Sequence, residues 1–239
     1  MRVEIADCVF DINATYAYMK EFMKDYIVLD DTELKGNIPT IEVTDKEIEF
    51  EQEGYEETFD KGYLETLAVL RKLSEYLSLE NVILFHGVAM TYNDRCYIIS
   101  AKSGTGKSTH AALWKRYVTD GKVEIINGDK PFIRLNDKKF IVYGTPWCGK
   151  EGCHINTKAE LAGIIFIERS KENYIERLDM GASLGLLMQQ VHITNTGAAL
   201  NMAVCDSLLN NVPIYRLGCD ISKEAVRTSF EALTGKRII

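Results

Sequence analysis

Apolar and polar positions along this chain fall into blocks of alternating helical and extended character. Val3 to Ile12 alternates loosely and predicts a strand. Ala14 to Tyr26 predicts a helix whose stripe of Tyr16, Met19, Phe22, Met23 and Tyr26 reads as core packing. Thr40 to Val43 and Glu47 to Phe50 read as two strands around a turn at Asp45-Lys46. Gly62 to Leu77 has helical spacing, with Leu64, Leu67, Leu70, Leu73 and Leu77 on one side. Asn81 to Ala89 and Arg95 to Ser100 predict two strands joined through Tyr92-Asn93-Asp94.

The second half continues in the same manner. His110 to Val118 predicts a helix, and an apolar strand from Val123 runs into Asn127-Gly128-Asp129-Lys130-Pro131. Phe132 to Leu135 and Phe140 to Tyr143 flank a polar turn as a hairpin. Leu161 to Ile167 is a fully apolar strand, followed by an extended Tyr174 to Leu178. Ser183 to His192 and Ala198 to Leu209 predict helices, and Val212 to Leu217 a strand. Ser222 caps a last helix that buries Val226, Phe230 and Leu233 and stops at Gly235. No repeat or low-complexity tract interrupts the series. The pattern predicts an α/β chain. A boundary near residue 80 separates a small α/β N-terminal part, residues 1–80, from a larger domain, 81–239.

Composition narrows the classes. At 239 residues and 46% hydrophobic, the chain can bury a sizeable core. A net charge of −7 disfavours sequence-independent nucleic-acid binding. No apolar run approaches membrane-spanning length, and Glu4 and Asp7 interrupt any signal-peptide core, so a cytoplasmic protein without membrane partners is expected. The six cysteines then read as reduced thiols. Cys148, Cys153 and His154 cluster locally but lack a paired spacing and a fourth metal ligand, which favours a loop thiol. The segment from Glu47 to Asp60 is strongly acidic. It reads as a solvated face or as a docking face for a basic partner.

The chemistry concentrates at Ala101-Lys102-Ser103-Gly104-Thr105-Gly106-Lys107-Ser108-Thr109, between a predicted strand and a predicted helix. That context makes a phosphate-binding loop (Walker A). Gly104 and Gly106 let successive N–H groups point into one concavity, and the helix N-terminus adds donors and a positive dipole end. Lys107 can reach the outer phosphates, and the Ser108 hydroxyl can ligate Mg²⁺. The first consensus position holds Ala101 rather than Gly. Asp129 follows a strand soon after this loop. It can hold Mg²⁺ or take a proton from an incoming hydroxyl. His86 lies within an apolar strand and on that ground alone reads as a packed core residue. Gly144 to Gly152, with Pro146 and Trp147, predicts a shaped loop near the site. There Lys150 could meet a phosphate and Glu151 a metal or substrate.

From Ile83 onward the chain resembles the C-terminal catalytic domain of the HPr kinase/phosphorylase family, whose core is shared with phosphoenolpyruvate carboxykinases. The resemblance rests on Leu84-Phe85-His86-Gly87, the Ser103 to Ser108 loop, Gly128-Asp129, Ile165-Phe166-Ile167-Glu168 and Tyr174-Ile175-Glu176-Arg177-Leu178. It implies a mixed sheet with a phosphate loop and flanking helices. It also implies that His86 lines the active site, that Lys107 binds the β/γ-phosphates and that Ser108 holds Mg²⁺. Asp129 would be the base, and Arg177, with Arg169 a nearby rival, would steady the transferring phosphoryl group. The chain departs from the family pattern in three places. A single Asp129 stands where two adjacent Asp are usual, a second metal ligand is missing near Ile141, and His192 to Gly197 does not match the basic loop tied to dephosphorylation. Reverse phosphorylase activity is therefore not expected.

The resulting expectation is an ATP- and Mg²⁺-dependent kinase that transfers the γ-phosphoryl group to a hydroxyl, on a protein or peptide serine or on a small metabolite. The alternatives are a non-catalytic ATP-binding regulatory module and a carboxykinase-like lyase. The family commonly assembles, which implies a homo-oligomer. The acceptor itself is not named by any motif.

Overall fold

The computed structural model describes residues 1–28 and 38–238. The chain begins with a hairpin, β1 (Arg2–Ile5) and β2 (Cys8–Asn13), then a short helix, α1 (Tyr18–Phe22), β3 (Thr40–Glu42), α2 (Asp45–Phe50) and the long α3 (Lys61–Ser78). Three strands follow, β4 (Val82–Phe85), β5 (Val88–Tyr92) and β6 (Arg95–Ser100), leading to α4 (Lys107–Tyr117) and β7 (Val123–Asn127). A hairpin of β8 (Phe132–Asn136) and β9 (Lys139–Tyr143) precedes the long β10 (Lys158–Arg169) and β11 (Tyr174–Arg177). The chain closes with α5 (Met180–Leu187), β12 (Val191–His192), α6 (Ala198–Asn211), β13 (Ile214–Cys219) and α7 (Lys223–Thr234).

This is a mixed α/β fold. Among the described residues, β1, β2 and β3 form a small sheet, and ten strands form a large one. The order along the large sheet is β12-β4-β8-β9-β10-β6-β5-β7, with β13 beside the upper half of β10 and β11 outside it. β6 runs parallel to β10, and β10 parallel to β13. β4 and β5 are joined by His86-Gly87 alone, yet β8, β9, β10 and β6 lie between them in the sheet. In a flat sheet that separation would be about 24 Å, more than twice what two linking residues span. The sheet must therefore curl until the end of β4 meets the start of β5. His86 sits at that junction.

Three apolar clusters hold the layers together. One packs α5 and α6 against the sheet through Leu187, Val204, Cys205 and Leu208. A second packs α4 and α7 on the opposite face, where fully buried Trp114 meets Phe230 edge-on at 5.2 Å. The third joins Phe10, Met19, Met23, Tyr26, Leu73 and Leu77 of the N-terminal part to Val82, Phe132 and Tyr143 of the large sheet and to Trp147 in the loop after β9. Burying such side chains contributes about 1.5–3 kcal/mol each, so the two parts stabilise one another.

Several elements differ from the sequence-based expectation. Val3 to Ile12 is a hairpin, because Ala6 and Asp7 turn the chain at φ +51° and +60° without any glycine to announce it. The helix expected from Ala14 starts only at Tyr18, because the Glu65 carboxylate takes the Thr15 and Tyr16 N–H groups. Glu47 to Phe50 is helical. Thr44 and Glu47 form a reciprocal capping box, which outweighs the apolar alternation there. Asn81 to Ala89 is two strands, because Gly87 passes so close to Ile98 and Ile99 that a Cβ would lie 2.9 Å from Ile98. Ser183 to His192 is helical only to Leu187. Asp179 caps it, and Val191-His192 then pair with β4. The last helix matches expectation: Ser222 accepts from the Ala225 N–H, and Gly235 closes it at φ +68°. No helix among the described residues is long and apolar enough to cross a membrane.

Candidate functional site

The site is built at the C-terminal end of β6. Ser100, the last residue of that strand, donates its hydroxyl to the His86 carbonyl at 2.8 Å and so joins the two halves of the site. The chain then turns through Gly104 at φ +74° and Gly106 at φ +127°, backbone conformations that a side chain would strain. α4 begins at Lys107. The N–H groups of Gly106, Lys107, Ser108 and Thr109 have no acceptor in the protein among the described residues. These orphan donors, with the dipole end behind them, form a hollow suited to phosphate oxygens.

Lys107 is buried along its stem and donates to the Ala101 carbonyl at 3.2 Å. Burial pulls its ammonium below the ordinary lysine range, and Lys130 adds to that pull. Asp129 and Glu151 oppose it. Lys102 and Ser103 sit on the exposed outer turn of the loop, and Thr105 closes back onto the Lys102 carbonyl at 3.3 Å. Arg169, at the end of β10, clasps the loop by donating to the Gly104 carbonyl at 2.7 Å and the Thr105 carbonyl at 3.4 Å.

Asp129 stands beyond the end of β7, which is parallel to β6 and separated from it by β5. His86 Nε2 lies 3.2 Å from Asp129 Oδ1, and the Gly87 N–H donates to the Asp129 carbonyl at 2.9 Å. Burial pushes the Asp129 carboxyl up. The neighbouring His86, Lys130 and Lys107 outweigh that and hold it below the usual carboxylate range. It is therefore ionised at neutral pH.

Asn127, which the sequence reading did not single out, holds the turn that carries this carboxylate. Asn127 is fully buried. Its Oδ1 accepts from the Asp129 and Lys130 N–H groups at 2.8 and 2.7 Å, and its Nδ2 donates to the Thr145 carbonyl and hydroxyl at 3.0 and 2.9 Å. The available signal was a local one: an Asn two residues before the candidate Asp, at a strand end, is the pattern of an Asx turn. Gly128 is required by a close approach, since a Cβ there would lie 2.4 Å from the Cys148 carbonyl oxygen.

The loop from Gly144 to Gly152 lies against the site as expected. A Cβ on Gly149 would lie 3.1 Å from the Asp129 Cβ and 3.7 Å from Glu151 Oε2. Trp147 anchors the loop by donating Nε1 to the Thr66 carbonyl at 3.0 Å. Glu151 is thus close enough to act on Lys107, whereas Lys150 points no hydrogen bond or ion pair at any described residue. His154 stacks on Tyr26, with ring centroids 5.9 Å apart.

The structure therefore brings Lys107, Ser108, His86 and Asp129 around one loop. It does not bring Arg177 there. Arg177 is exposed on β11, three strands out from β6, and pairs in register with Tyr215. The arginine in contact with the loop is Arg169. On the β10 side of the loop lies a cleft of about 500 Å³, lined by the loop, Phe166 to Arg169, Leu186, Gln189 and Gln190.

Among the described residues no group of three or more His, Cys, Asp or Glu is placed to hold a metal ion by itself. The candidate oxygen donors beside the loop are those of Ser108 and Asp129. The Ser108 hydroxyl is half-buried without a partner among the described residues, and the Asp129 carboxylate is ionised. These are the residues that could hold Mg²⁺, an ion that binds through few protein oxygens and completes its shell with water and phosphate.

No protein-family model matches this sequence. No curated protein matches it either. Among solved structures, the Hpr(Ser) kinase/phosphatase from Coxiella burnetii overlaps 64% of this chain and 93% of its own, at a TM-score of 0.37 and 12% identity. An overlap that loose carries no functional information about this chain.

Proposed function

We propose that this chain is an ATP- and Mg²⁺-dependent kinase that moves a γ-phosphoryl group onto a hydroxyl. The observation that carries this is the convergence of a loop of unpaired N–H groups, a buried lysine and an ionised aspartate paired with His86. A phosphate-binding loop alone supports nucleotide binding. The carboxylate beside it, fixed by Asn127, supplies what transfer needs.

The chain's own residues divide the work as follows. The N–H groups from Gly106 to Thr109 hold phosphate oxygens, and Lys107 adds a charge at the outer phosphates. Ser108 and Asp129 would hold Mg²⁺. When bound, the ion neutralises charge on the phosphate oxygens. Asp129 orients the acceptor hydroxyl and accepts its proton as the new oxygen–phosphorus bond forms and the bond from the γ-phosphorus to the β,γ-bridging oxygen breaks, ADP leaving with that oxygen. Its depressed pKa makes it a weak base, so positioning of the nucleophile contributes more than basicity. His86 keeps Asp129 ionised and aimed. Arg169 clasps the loop, and the cleft beyond it is the space available for the nucleoside, because the acceptor must approach from the Asp129 side.

The direct test is ATP binding and γ-phosphoryl transfer by the full chain, compared with Asp129→Asn. Binding with Asp129-dependent transfer supports the kinase. Tight ATP binding without transfer to any protein or metabolite would instead make the chain a regulatory nucleotide-binding module. Nucleotide consumption that requires oxaloacetate would make it a carboxykinase-like lyase.

A further inference from the structure

Beside Asp129, away from the nucleoside cleft, the surface is aromatic and acidic. Tyr55, Phe59 and Tyr63 form a run of ring contacts, with centroids 5.3 and 5.6 Å apart. Tyr55 is 59% exposed and Tyr63 38%. Single exposed rings are ordinary on a protein surface, but exposed rings in mutual contact make a contiguous patch of the kind that marks interaction sites. A path of hydrogen bonds ties this lip to the candidate base. The Thr66 hydroxyl donates to the Tyr63 carbonyl at 2.7 Å, Trp147 Nε1 donates to the Thr66 carbonyl at 3.0 Å, and the Lys130 N–H donates to the Trp147 carbonyl at 3.1 Å. The Tyr63 phenol is accordingly within electrostatic reach of Asp129. Burial first, then the neighbouring Tyr55 and Asp129, hold it above the usual tyrosine range.

The charge around these rings is mostly negative, with exposed Lys61 the one cation among residues 51–63. Residues 51–60 contain Glu51, Glu53, Glu56, Glu57 and Asp60 and no Lys or Arg. Glu51 is committed to Arg71 at 2.7 Å, and Asp60 caps α3. Glu53, Glu56 and Glu57 are exposed and have no cationic partner among the described residues. Exposed carboxylates interleaved with exposed aromatic faces match the needs of lysine and arginine side chains, which take both an ion pair and a ring face. The run of rings extends over two successive steps of 5–6 Å, longer than one small cation covers.

We propose that this lip docks the phosphoryl acceptor, and that the acceptor is a polypeptide segment whose serine or threonine is flanked by lysine or arginine. The proposal rests on the kinase function and names its substrate class. Docking would lay the basic side chains on Glu53, Glu56, Glu57 and Tyr55 and bring the hydroxyl past Tyr63 to Asp129.

The test separates docking from chemistry. The full chain is titrated without nucleotide against two labelled single-serine peptides of equal length, one lysine-rich and one glutamate-rich. The lysine-rich peptide should bind. Its affinity should fall roughly tenfold in the combined E53Q, E56Q and E57Q variant and fall again as salt is raised, with ATP affinity unchanged. Y55A should weaken the same peptide and serves as a second variant if the triple one misfolds. Equal binding of both peptides, or no effect of either variant, overturns the proposal. Transfer is then measured with ATP. Lysine-rich binding without transfer leaves the docking surface standing and sinks the kinase function. Transfer to a small hydroxyl metabolite, with no preference for the lysine-rich peptide, does the reverse.

Discussion

Nε2 of His86 lies 3.2 Å from Oδ1 of Asp129, although β4, which ends just before His86, and β7, which precedes Asp129, are separated by five other strands along the large sheet. The antiparallel pairing of β5 with β7, which sets Ala89 opposite Asn127, brings them together, and it does so beside the loop that carries Gly104 and Gly106. Asp129→Asn keeps the size of the side chain and removes its charge. It should leave ATP affinity within about threefold and lower transfer by roughly 10²–10⁴-fold. Isothermal titration and a labelled-phosphate assay on the same preparation check both halves.

Lys107→Ala removes the buried ammonium from the loop. Loss of a charge-assisted contact of about 2–3 kcal/mol should weaken ATP binding roughly 30–150-fold. Because Lys107 donates to the Ala101 carbonyl in the free protein, the loop itself should also loosen. Nucleotide titration reads the first effect and amide exchange over residues 101–106 the second.

Arg169→Ala and Arg177→Ala form a discriminating pair. Arg169 clasps the Gly104 and Thr105 carbonyls, and its loss should weaken ATP binding by about tenfold through a mispositioned loop. Arg177 is remote from the loop on β11, so Arg177→Ala should leave ATP affinity unchanged. The opposite ranking would return the phosphate-stabilising role to Arg177.

Asn127→Ala tests the support beneath the base. Two N–H groups and the Thr145 carbonyl lose a buried partner, a cost of about 2–4 kcal/mol. Thermal unfolding should fall by roughly 5–10 °C. Transfer should fall further than stability accounts for, because Asp129 loses its turn.

Acid should act at two places. Transfer needs Asp129 ionised, and its carboxyl is held low. The acid limb of the rate profile should therefore lie below the ordinary carboxylate range of about pH 4. Glu47 is held down to about 2: its modest burial opposes this, but the Thr44 N–H and hydroxyl and Lys72 outweigh it. A carboxyl lowered on folding stabilises the protein above its unfolded pKa and loses that contribution as pH falls toward the folded one. The α2 capping box should thus hold at neutral pH and give way between about pH 4.5 and 2. Denaturant midpoints of the natural chain and Glu47→Gln across that window check the sign.

The loop and its lysine were legible because their chemistry is local: glycines, a lysine and a helix start within a few residues. Asp129 was legible for the same reason, as an acidic residue at a strand end. His86 was not legible from its own surroundings, because an apolar strand with one histidine looks like core. Its position beside Asp129 depends on the pairing of β5 with β7, two strands more than thirty residues apart in sequence. Asn127 was overlooked because a buried amide is recognisable by its partners, not by its neighbours in sequence. At α2, apolar alternation pointed to a strand, and the Thr44–Glu47 capping box decided otherwise.

The central claim is Asp129-dependent phosphoryl transfer, and the most direct measurement is movement of γ-labelled phosphate from ATP in a host extract separated into protein and metabolite fractions. The kinase predicts label in one fraction with the natural chain and none above background with Asp129→Asn. ATP bound equally by both, with no Asp129-dependent label in either fraction, would contradict it.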